Sequence, residues 1–479
     1  MRSFLRIISI LIAIVGTTLL FPAMAALFCG EEQVLPAFLL PMFGSWIVAA
    51  FVFGIFQTKP IRLSVRSVFV VVAGAWIGSS LFGAIPLLMS GSVHSLADAV
   101  FESVSGFTTT GASVIDNVEG LPRSINLWRC QMHWLGGMGV VALTVALMPL
   151  LGVGGFQLIK AETTGPEKGK VTPKIATTAK ALWLIYVALT IVQTLLLRLA
   201  GMDFLDAVSY SFATLGTGGF ATRNLSVAAY HSASIDWICT VFMVLAAANF
   251  SMYFYLIRGR FREIRANSEL KAYLAIYLFS SLAVTIILLP DYGSFENSAR
   301  YAAFQVASIM STTGFATADY TKWPAAAQFV LFLMFFIGGC SGSTAGGVKV
   351  VRWVVLGKQA GNEMDRMIHP HGVFAIRLDG RAGRKDIVFS VAAFGMVYAA
   401  LVMATTFIGT CGELDLWSAF TGALSIVGNV GPAFGRLGPI YTYSFLPDFV
   451  KWSYSFAMLA GRLELYTMII FFERAYWKR

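Results

Sequence analysis

This sequence predicts an all-α polytopic membrane protein in which four pseudo-repeated helix–pore loop–helix units surround one central pore, with two extra amino-terminal transmembrane helices. Three observations predict it. Over 479 residues, 57% of side chains are hydrophobic and 13% charged, a more apolar and less charged mixture than a soluble domain carries. Four glycine-centred loops recur about a hundred residues apart: TTTGAS at 108–113, GTGGFA at 216–221, STTGFA at 311–316 and GNVGPA at 428–433. The basic residues also fall largely on one side of the predicted helices.

Stretches close to the ~20 apolar residues needed to cross a hydrocarbon core occur at 5–28, 35–56, 67–90, 128–151, 181–200, 235–257, 272–290, 327–351, 386–408 and 448–473. The first follows Arg2 and Arg6 and ends in FPAMAALFC, so it shares features with a cleaved signal peptide. Its apolar run is long for that role, and it reads as a retained helix paired with the second span. With the amino terminus inside, 26 of the 35 Lys and Arg residues face the same side, the positive-inside asymmetry. They are Arg2, Arg6, Lys59, Arg62 and Arg66, then Lys160 through Lys180, Arg258 through Lys271, Lys349 through Lys385, and Arg474, Lys478 and Arg479. Ten spans return the carboxy terminus to that side, and all four glycine loops emerge on the other.

The net charge of +10 is therefore a topogenic signal, and no aromatic-interleaved basic surface suggests nucleic acid. Cys29, Cys130, Cys239, Cys340 and Cys411 form no CxxC pair, and of the histidines only His369 and His371 are close, so neither residue type suggests a metal site. No catalytic residue and no bound cofactor is expected.

Past the first two spans, at 1–66, the chain divides into units at 67–160, 161–265, 266–365 and 366–479. Each holds a membrane helix, a half-length helical segment, a glycine loop and a second membrane helix. The half-length segments, at 95–107, 204–215, 299–310 and 415–427, are too short to span and must re-enter. Non-helical backbone at membrane depth is tolerated only where protein buries it or water lines it, a condition that four loops facing one axis satisfy. Rings of carbonyls there can replace the hydration shell of a monovalent cation. Glycine supplies the backbone angles that turn the carbonyls inward, and the carboxy-terminal ends of the short helices add partial negative charge. The candidate filter is Thr108, Thr109, Thr110 and Gly111; Gly216, Thr217, Gly218 and Gly219; Ser311, Thr312, Thr313 and Gly314; and Gly428, Asn429, Val430 and Gly431. Thr109, Thr110, Thr217, Gly218, Thr312, Thr313, Asn429 and Val430 are the expected ion-coordinating positions.

The loops SGFTTTGAS, LGTGGFATRN, MSTTGFATADY and SIVGNVGPAFG resemble the four filter segments of the Trk/Ktr/HKT superfamily of potassium transporters. Together with the two extra amino-terminal spans, HPHGVFAIRLDGR at 369–381 and AGRLELYT near the end make the chain most similar to the membrane subunit of bacterial Trk systems. The resemblance covers essentially the whole chain. Glycine stands in all four filter positions, which within the resembled family favours potassium over sodium. The resemblance also implies location in the bacterial cytoplasmic membrane with both termini cytoplasmic, a homodimer, and a cytosolic ring-forming regulatory subunit that binds adenine nucleotides. The basic loops at Arg258 to Lys271 and Lys349 to Lys385 are candidate docking surfaces or simply topogenic charge.

The eighth span is interrupted by GGCSGSTAGGVKVVR at 338–352. It lacks the Gly-Lys-Ser/Thr of a phosphate-binding loop. Close packing of membrane helices through small residues remains one reading. The other, implied by the resemblance, is a loop that obstructs the pore: Gly338, Gly339, Gly342, Ser343, Thr344, Gly346 and Gly347 then form a gate. Arg462, in the middle of the tenth span, needs a cavity or a partner. It either pairs with Glu464 or lends fixed positive charge to the gate, and on the second reading Arg462→Ala raises ion flux. Lys349 and Arg352 read as anchors at the inner interface. The acidic residues Asp98, Glu102, Asp116, Glu119, Asp203, Asp206, Asp236, Asp291, Glu296, Asp319, Glu413, Asp415 and Asp448 all fall outside. Most read as solvated loop charges, with Asp98, Asp206 and Asp415 placed to concentrate cations at the mouth.

Two other functional classes make different demands on a sequence. A sodium-coupled or alternating-access cation symporter is expected to show inverted halves and buried acidic residues, and the sequence presents neither clearly. An intramembrane enzyme needs a nucleophile and base or a metal cluster, and none is apparent.

Overall fold

A computed structural model describes residues 2–56, 65–139, 175–379, 381–382 and 387–477. Lys59, Arg62, Lys160 to Lys174, Lys385, Lys478 and Arg479, the inner part of the expected 128–151 span and the expected unit boundary at 160 lie outside the described residues. The described chain is nearly all helical, with a single two-stranded hairpin of β1 (Arg377–Leu378) and β2 (Arg381–Ala382).

Helices α1 (Arg2–Thr18) and α2 (Leu20–Cys29) run together as one apolar segment, and Ile7, Leu11, Val15 and Leu19 bury its inner face. It packs against α3 (Leu35–Phe56) and α4 (Val65–Met89). After α4 come a short helix α5 (Leu96–Phe107) and then α6 (Arg123–Gly137). The order long helix, short helix, second helix returns three times. It appears as α7 (Ile175–Leu199), α8 (Phe204–Gly216) and α9 (Ala233–Ala246) followed by α10 (Phe250–Ile257). Next come α11 (Ser268–Tyr292), α12 (Phe295–Met310), α13 (Ala325–Met334) and α14 (Val350–Ile368). The last set is α15 (Ile387–Cys411), α16 (Leu416–Gly428), α17 (Asp448–Arg462) and α18 (Tyr466–Ile469).

Among the described residues, six helical segments are long and apolar enough to cross a membrane, or up to eight if each bent pair is one span. This departs from ten spans with a break in the eighth alone. Among the described residues the second helix breaks in the last three sets: α13 ends at Met334, α9 and α10 meet at 93°, and α17 and the segment beginning at α18 meet at 118°. Local chemistry explains the breaks. Asn249 caps α10 by accepting from the Ser251 N–H at 2.8 Å, which sets a new helix axis. Glu464 and Leu465 have φ of 57° and 59°, a left-handed turn that no α-helix continues.

Candidate functional site: four glycine loops and the loop beneath them

The four short helices are built alike at both ends. Ser95, Asp203, Ser294 and Asp415 cap them, accepting from the N–H groups of Ala97, Leu205, Asn297 and Ser418 at 3.2, 3.3, 3.3 and 3.0 Å. At the other end Thr109, Thr217, Thr312 and Asn429 turn left-handed, with φ of 55°, 56°, 57° and 55°. The following N–H groups, of Thr110, Gly218, Thr313 and Val430, reach back to the carbonyls of Ser105, Ala213, Ser308 and Ser425 at 2.9, 2.8, 2.9 and 2.9 Å. This 6→1 bond is the Schellman closure of a helix, and it usually employs glycine at the left-handed position. Three threonines and an asparagine occupy that position here, at about 1–2 kcal/mol of backbone strain each. What they contribute in return is a side-chain oxygen or amide at the foot of each loop.

Two residues later the chain turns left-handed again, at Gly111, Gly219, Gly314 and Gly431 (φ 80°, 83°, 81° and 100°). These glycines make the contacts that join the loops. A Cβ on Gly111 would lie 2.0 Å from the Gly218 carbonyl oxygen, one on Gly219 2.1 Å from that of Thr313, one on Gly314 2.2 Å from that of Val430, and one on Gly431 2.5 Å from that of Thr110. Each glycine thus abuts the carbonyl of the residue preceding the next glycine, and the fourth abuts the first. The four loops close into a cycle through backbone alone, which is why no side chain fits there.

The remaining residues at the expected filter positions lie at the helix ends. The Thr108 and Ser311 hydroxyls pair with Thr110 and Thr313 at 2.8 and 2.7 Å. Gly216 and Gly428 are the last helical residues, and Gly216 admits the backbone of α6, since a Cβ there would lie 2.5 Å from the His133 carbonyl oxygen. Asn429 crosses from the fourth loop to the first, donating through Nδ2 to Thr110 Oγ1 at 2.9 Å and to the Met458 carbonyl at 3.0 Å.

Behind the first two loops stands a polar buttress that sequence reasoning missed. Glu102, read from sequence as a solvated loop charge, is fully buried on α5 and pairs with Arg129 on α6 at 2.7 Å. Its carboxylate also accepts from Ser113 Oγ at 3.0 Å and the Val114 N–H at 2.9 Å. Arg129 in turn donates to the Ala221 carbonyl of the second loop at 3.3 Å and lies over the Phe220 ring. His133 joins the same loops: Nδ1 lies 2.8 Å from the Gly106 carbonyl oxygen, and Nε2 accepts from the Phe220 N–H at 3.1 Å. The sequence does not single the pair out, since α5 also carries Asp98 and α6 also carries Arg123, Asn126, Gln131 and His133.

The acidic residues expected at the mouth are likewise committed locally. Asp98 pairs with buried Lys451 at 2.5 Å, and Asp206 accepts from the Tyr230 hydroxyl at 2.8 Å with Arg223 at 3.7 Å. Asp415 caps α16, and its hydrogen bonds from Ser418 hold its carboxyl below the ordinary range.

Under the third and fourth loops lies the segment joining α13 to α14. Gly338, Gly342, Gly347 and Lys349 have φ of 74°, 71°, 73° and 67°. It meets the glycine cycle directly: the Gly346 N–H donates to Thr312 Oγ1 at 2.7 Å, and a Cβ on Gly346 would lie 2.5 Å from the Gly428 carbonyl oxygen. Its other contacts reach the break in the second set. Cys340 N–H donates to the Ala247 carbonyl at 2.8 Å, Thr344 Oγ1 to the Ala246 carbonyl at 3.1 Å, and Phe250 N–H to the Gly342 carbonyl at 3.1 Å. Ser343 Oγ closes a local turn on the Cys340 carbonyl at 2.6 Å, and a Cβ on Gly339 would lie 2.5 Å from that of Ala345. From the last set, Arg462 donates to the Thr344 carbonyl at 2.8 Å and to the Gly136 carbonyl at 3.0 Å. Glu464 pairs with Arg352, whose guanidinium lies 3.7 Å from the centre of the Phe394 ring. Lys349 is buried and turns back on the Ala345 carbonyl. Neither basic residue is the interfacial anchor expected from sequence, because each finds an internal acceptor.

The family model for TrkH, described as a cation transport protein, matches residues 42–292 and 293–479. The chain is 37% identical to the Trk system potassium uptake protein TrkH of Halomonas elongata, with all of both chains covered. It is 35% identical to the protein of that name from Escherichia coli K12, covering 100% of this chain and 99% of that one. Among solved structures, the potassium transporter TrkH from Vibrio parahaemolyticus superposes with a TM-score of 0.88 at 34% identity, covering 100% of this chain and 99% of the other.

Proposed function

Because this chain belongs to the TrkH family of cation transport proteins, we propose that it takes up potassium across the bacterial cytoplasmic membrane as the membrane subunit of a Trk system. The ion passes through the cycle of glycine loops, each loop supplied by one of four helix–loop–helix units at 67–160, 161–265, 266–365 and 366–479. The observation that carries this reading is the closure of the cycle: Gly111, Gly219, Gly314 and Gly431 each abut the neighbouring loop's carbonyl. Backbone packed this tightly has its carbonyls fixed before an ion arrives, and fixed carbonyls exchange for water around a dehydrated cation at little reorganisation cost. The carbonyls of Thr109, Thr110, Thr217, Gly218, Thr312, Thr313, Asn429 and Val430 coordinate potassium, and the four short helices aim their negative ends at it.

The segment from Gly338 to Gly347 is the gate, with Arg462 holding it shut. Its hydrogen bond to Thr312 and its contact with Gly428 support a position across the inner mouth of the cycle. A homodimer in the bilayer, with both termini cytoplasmic and a cytosolic nucleotide-binding ring as regulator, completes the assembly.

The test is flux of K+, Rb+, Na+ and Li+ through the purified protein in liposomes, repeated for Gly111→Ser. Potassium and rubidium are expected to pass well ahead of sodium and lithium. Gly111→Ser is expected to narrow that gap, since its Cβ collides with the Gly218 carbonyl at a left-handed φ. Equal sodium and potassium flux in the wild type defeats the potassium assignment, and an unchanged order in the variant removes the first loop from the filter.

A further inference from the structure

The segment from Gly338 to Gly347 is fastened by a residue that neither loop motif nor family comparison singles out. Glu269, in the first turn of α11, is buried, and one atom of its carboxylate, Oε1, accepts from the Ser341 N–H at 2.6 Å and from the Val351 N–H at 3.1 Å. A single oxygen therefore pins both ends of the stretch 341–351, which contains the Gly346 contact to Thr312. Buried charged acceptors hold backbone donors more strongly than neutral ones do. Releasing this oxygen frees two amide donors, that of Val351 buried and that of Ser341 partly so.

Glu269 is itself held from outside the loop. The preceding residues cap α11: Asn267 Oδ1 accepts from the Leu270 N–H at 2.7 Å. Asp379, in the turn of the β1–β2 hairpin, accepts through Oδ1 from the Ser268 N–H at 2.7 Å and hydroxyl at 2.6 Å, and through Oδ2 from Asn267 Nδ2 at 3.3 Å. The hairpin packs Ile376 and Leu378 against Val355 of α14 and Ile387 and Val391 of α15. Lys358 of α14 also donates to the Arg377 carbonyl. A continuous set of hydrogen bonds thus leads from the hairpin through the cap of α11 to Glu269 and on to the segment under the glycine cycle.

We propose that Glu269 is the clasp of the gate and that Asp379 is its positioning residue, so that displacement of the hairpin opens the gate by withdrawing Glu269 from Ser341 and Val351. This rests on the gate reading of the Gly338–Gly347 segment. It adds to that reading the residue that fastens the segment and the surface element through which it is released.

The experiment measures basal K+ flux and the K+:Na+ flux ratio of the purified full chain in liposomes for Glu269→Gln, Asp379→Ala, Asp379→Asn and Arg462→Ala. Glu269→Gln is expected to raise K+ flux about tenfold with the ratio unchanged, as loss of a charge-assisted clasp shifts the closed–open balance. Asp379→Ala is expected to raise it in the same direction. Asp379→Asn, which keeps an acceptor toward Ser268, brings flux back toward the wild-type value. Should Glu269→Gln fail to fold, the half-buried Asp379 pair decides alone, because a merely structural loss shows no rescue by asparagine. Wild-type flux in Glu269→Gln and Asp379→Ala, with Arg462→Ala leaking, overturns the clasp and leaves the gate reading standing. Wild-type flux in all of them, Arg462→Ala included, overturns both. A rise accompanied by a changed K+:Na+ ratio also overturns it, since the filter and not the gate has then moved.

Discussion

Single charged residues inside this molecule are decided by their partners, and Glu102 shows how much hangs on one. Its carboxylate neutralises Arg129 and takes hydrogen bonds from Ser113 and Val114, so it holds the first loop to α6 while Arg129 reaches the second loop. Removing one partner of a buried pair leaves the other charge uncompensated, at about 3–5 kcal/mol. Glu102→Gln is therefore expected to lower the thermal unfolding temperature in detergent markedly, with a matching loss for Arg129→Met and no further loss in the double variant, which discards both charges together. Additive losses in the double variant would show the two side chains acting independently. Sequence flagged Arg462 because an arginine stands alone in an apolar run. Glu102 escaped because its position near the outer loops matched a plausible solvated charge, and only the fold brings Arg129 onto it.

At the scale of elements, the short helices and the second helices behave differently, and the difference is physical. The short helices, at Leu96–Phe107, Phe204–Gly216, Phe295–Met310 and Leu416–Gly428, carry their limits in local code. A Ser or Asp cap opens each one, and a left-handed residue followed two positions later by glycine closes it. The breaks after Ala246 and Arg462 are less legible: Asn249 caps the new helix and Glu464 and Leu465 turn left-handed, but residues of these types also sit inside helices, so contacts with the segment under the loops select where the chain turns. That segment was legible as irregular because glycines crowd it, but its attachments to Ala246, Ala247, Glu269 and Arg462 join residues distant in the chain. Gly346 tests the element as a unit. A methyl group there meets the Gly428 carbonyl oxygen at 2.5 Å and Asn429 Cβ at 3.0 Å, both belonging to the rigid end of α16. The segment has to move instead, so Gly346→Ala is expected to weaken the bond to Thr312 and raise basal K+ flux in liposomes several-fold while the unfolding temperature stays close to that of the wild type. A large drop in unfolding temperature with unchanged flux would mean that the segment braces the fold without obstructing the pore.

For the whole molecule, the side of the membrane that the glycine loops face orders everything else. Charge asymmetry predicts it: the cationic stretches from Arg258 to Lys271 and along α14 belong inside. The short helices and their caps then belong outside. The native cysteines report on this without mutation. Cys130, Cys239 and Cys340 are fully buried, Cys29 is partly exposed and Cys411 is exposed. Cys411 ends α15 just before the Asp415 cap of α16, and Cys29 ends α2, so on this topology both thiols sit at the outer surface. A membrane-impermeant maleimide applied to intact spheroplasts is expected to label Cys411 readily and Cys29 more slowly, with the three buried cysteines modified only after denaturation. Peptide mass mapping reads each site separately. Labelling of Cys411 that appears only when the membrane is opened would invert the topology, turn the glycine cycle toward the cytoplasm, and set the clasp at Glu269 on the outer side, where a cytosolic regulator has no access to it.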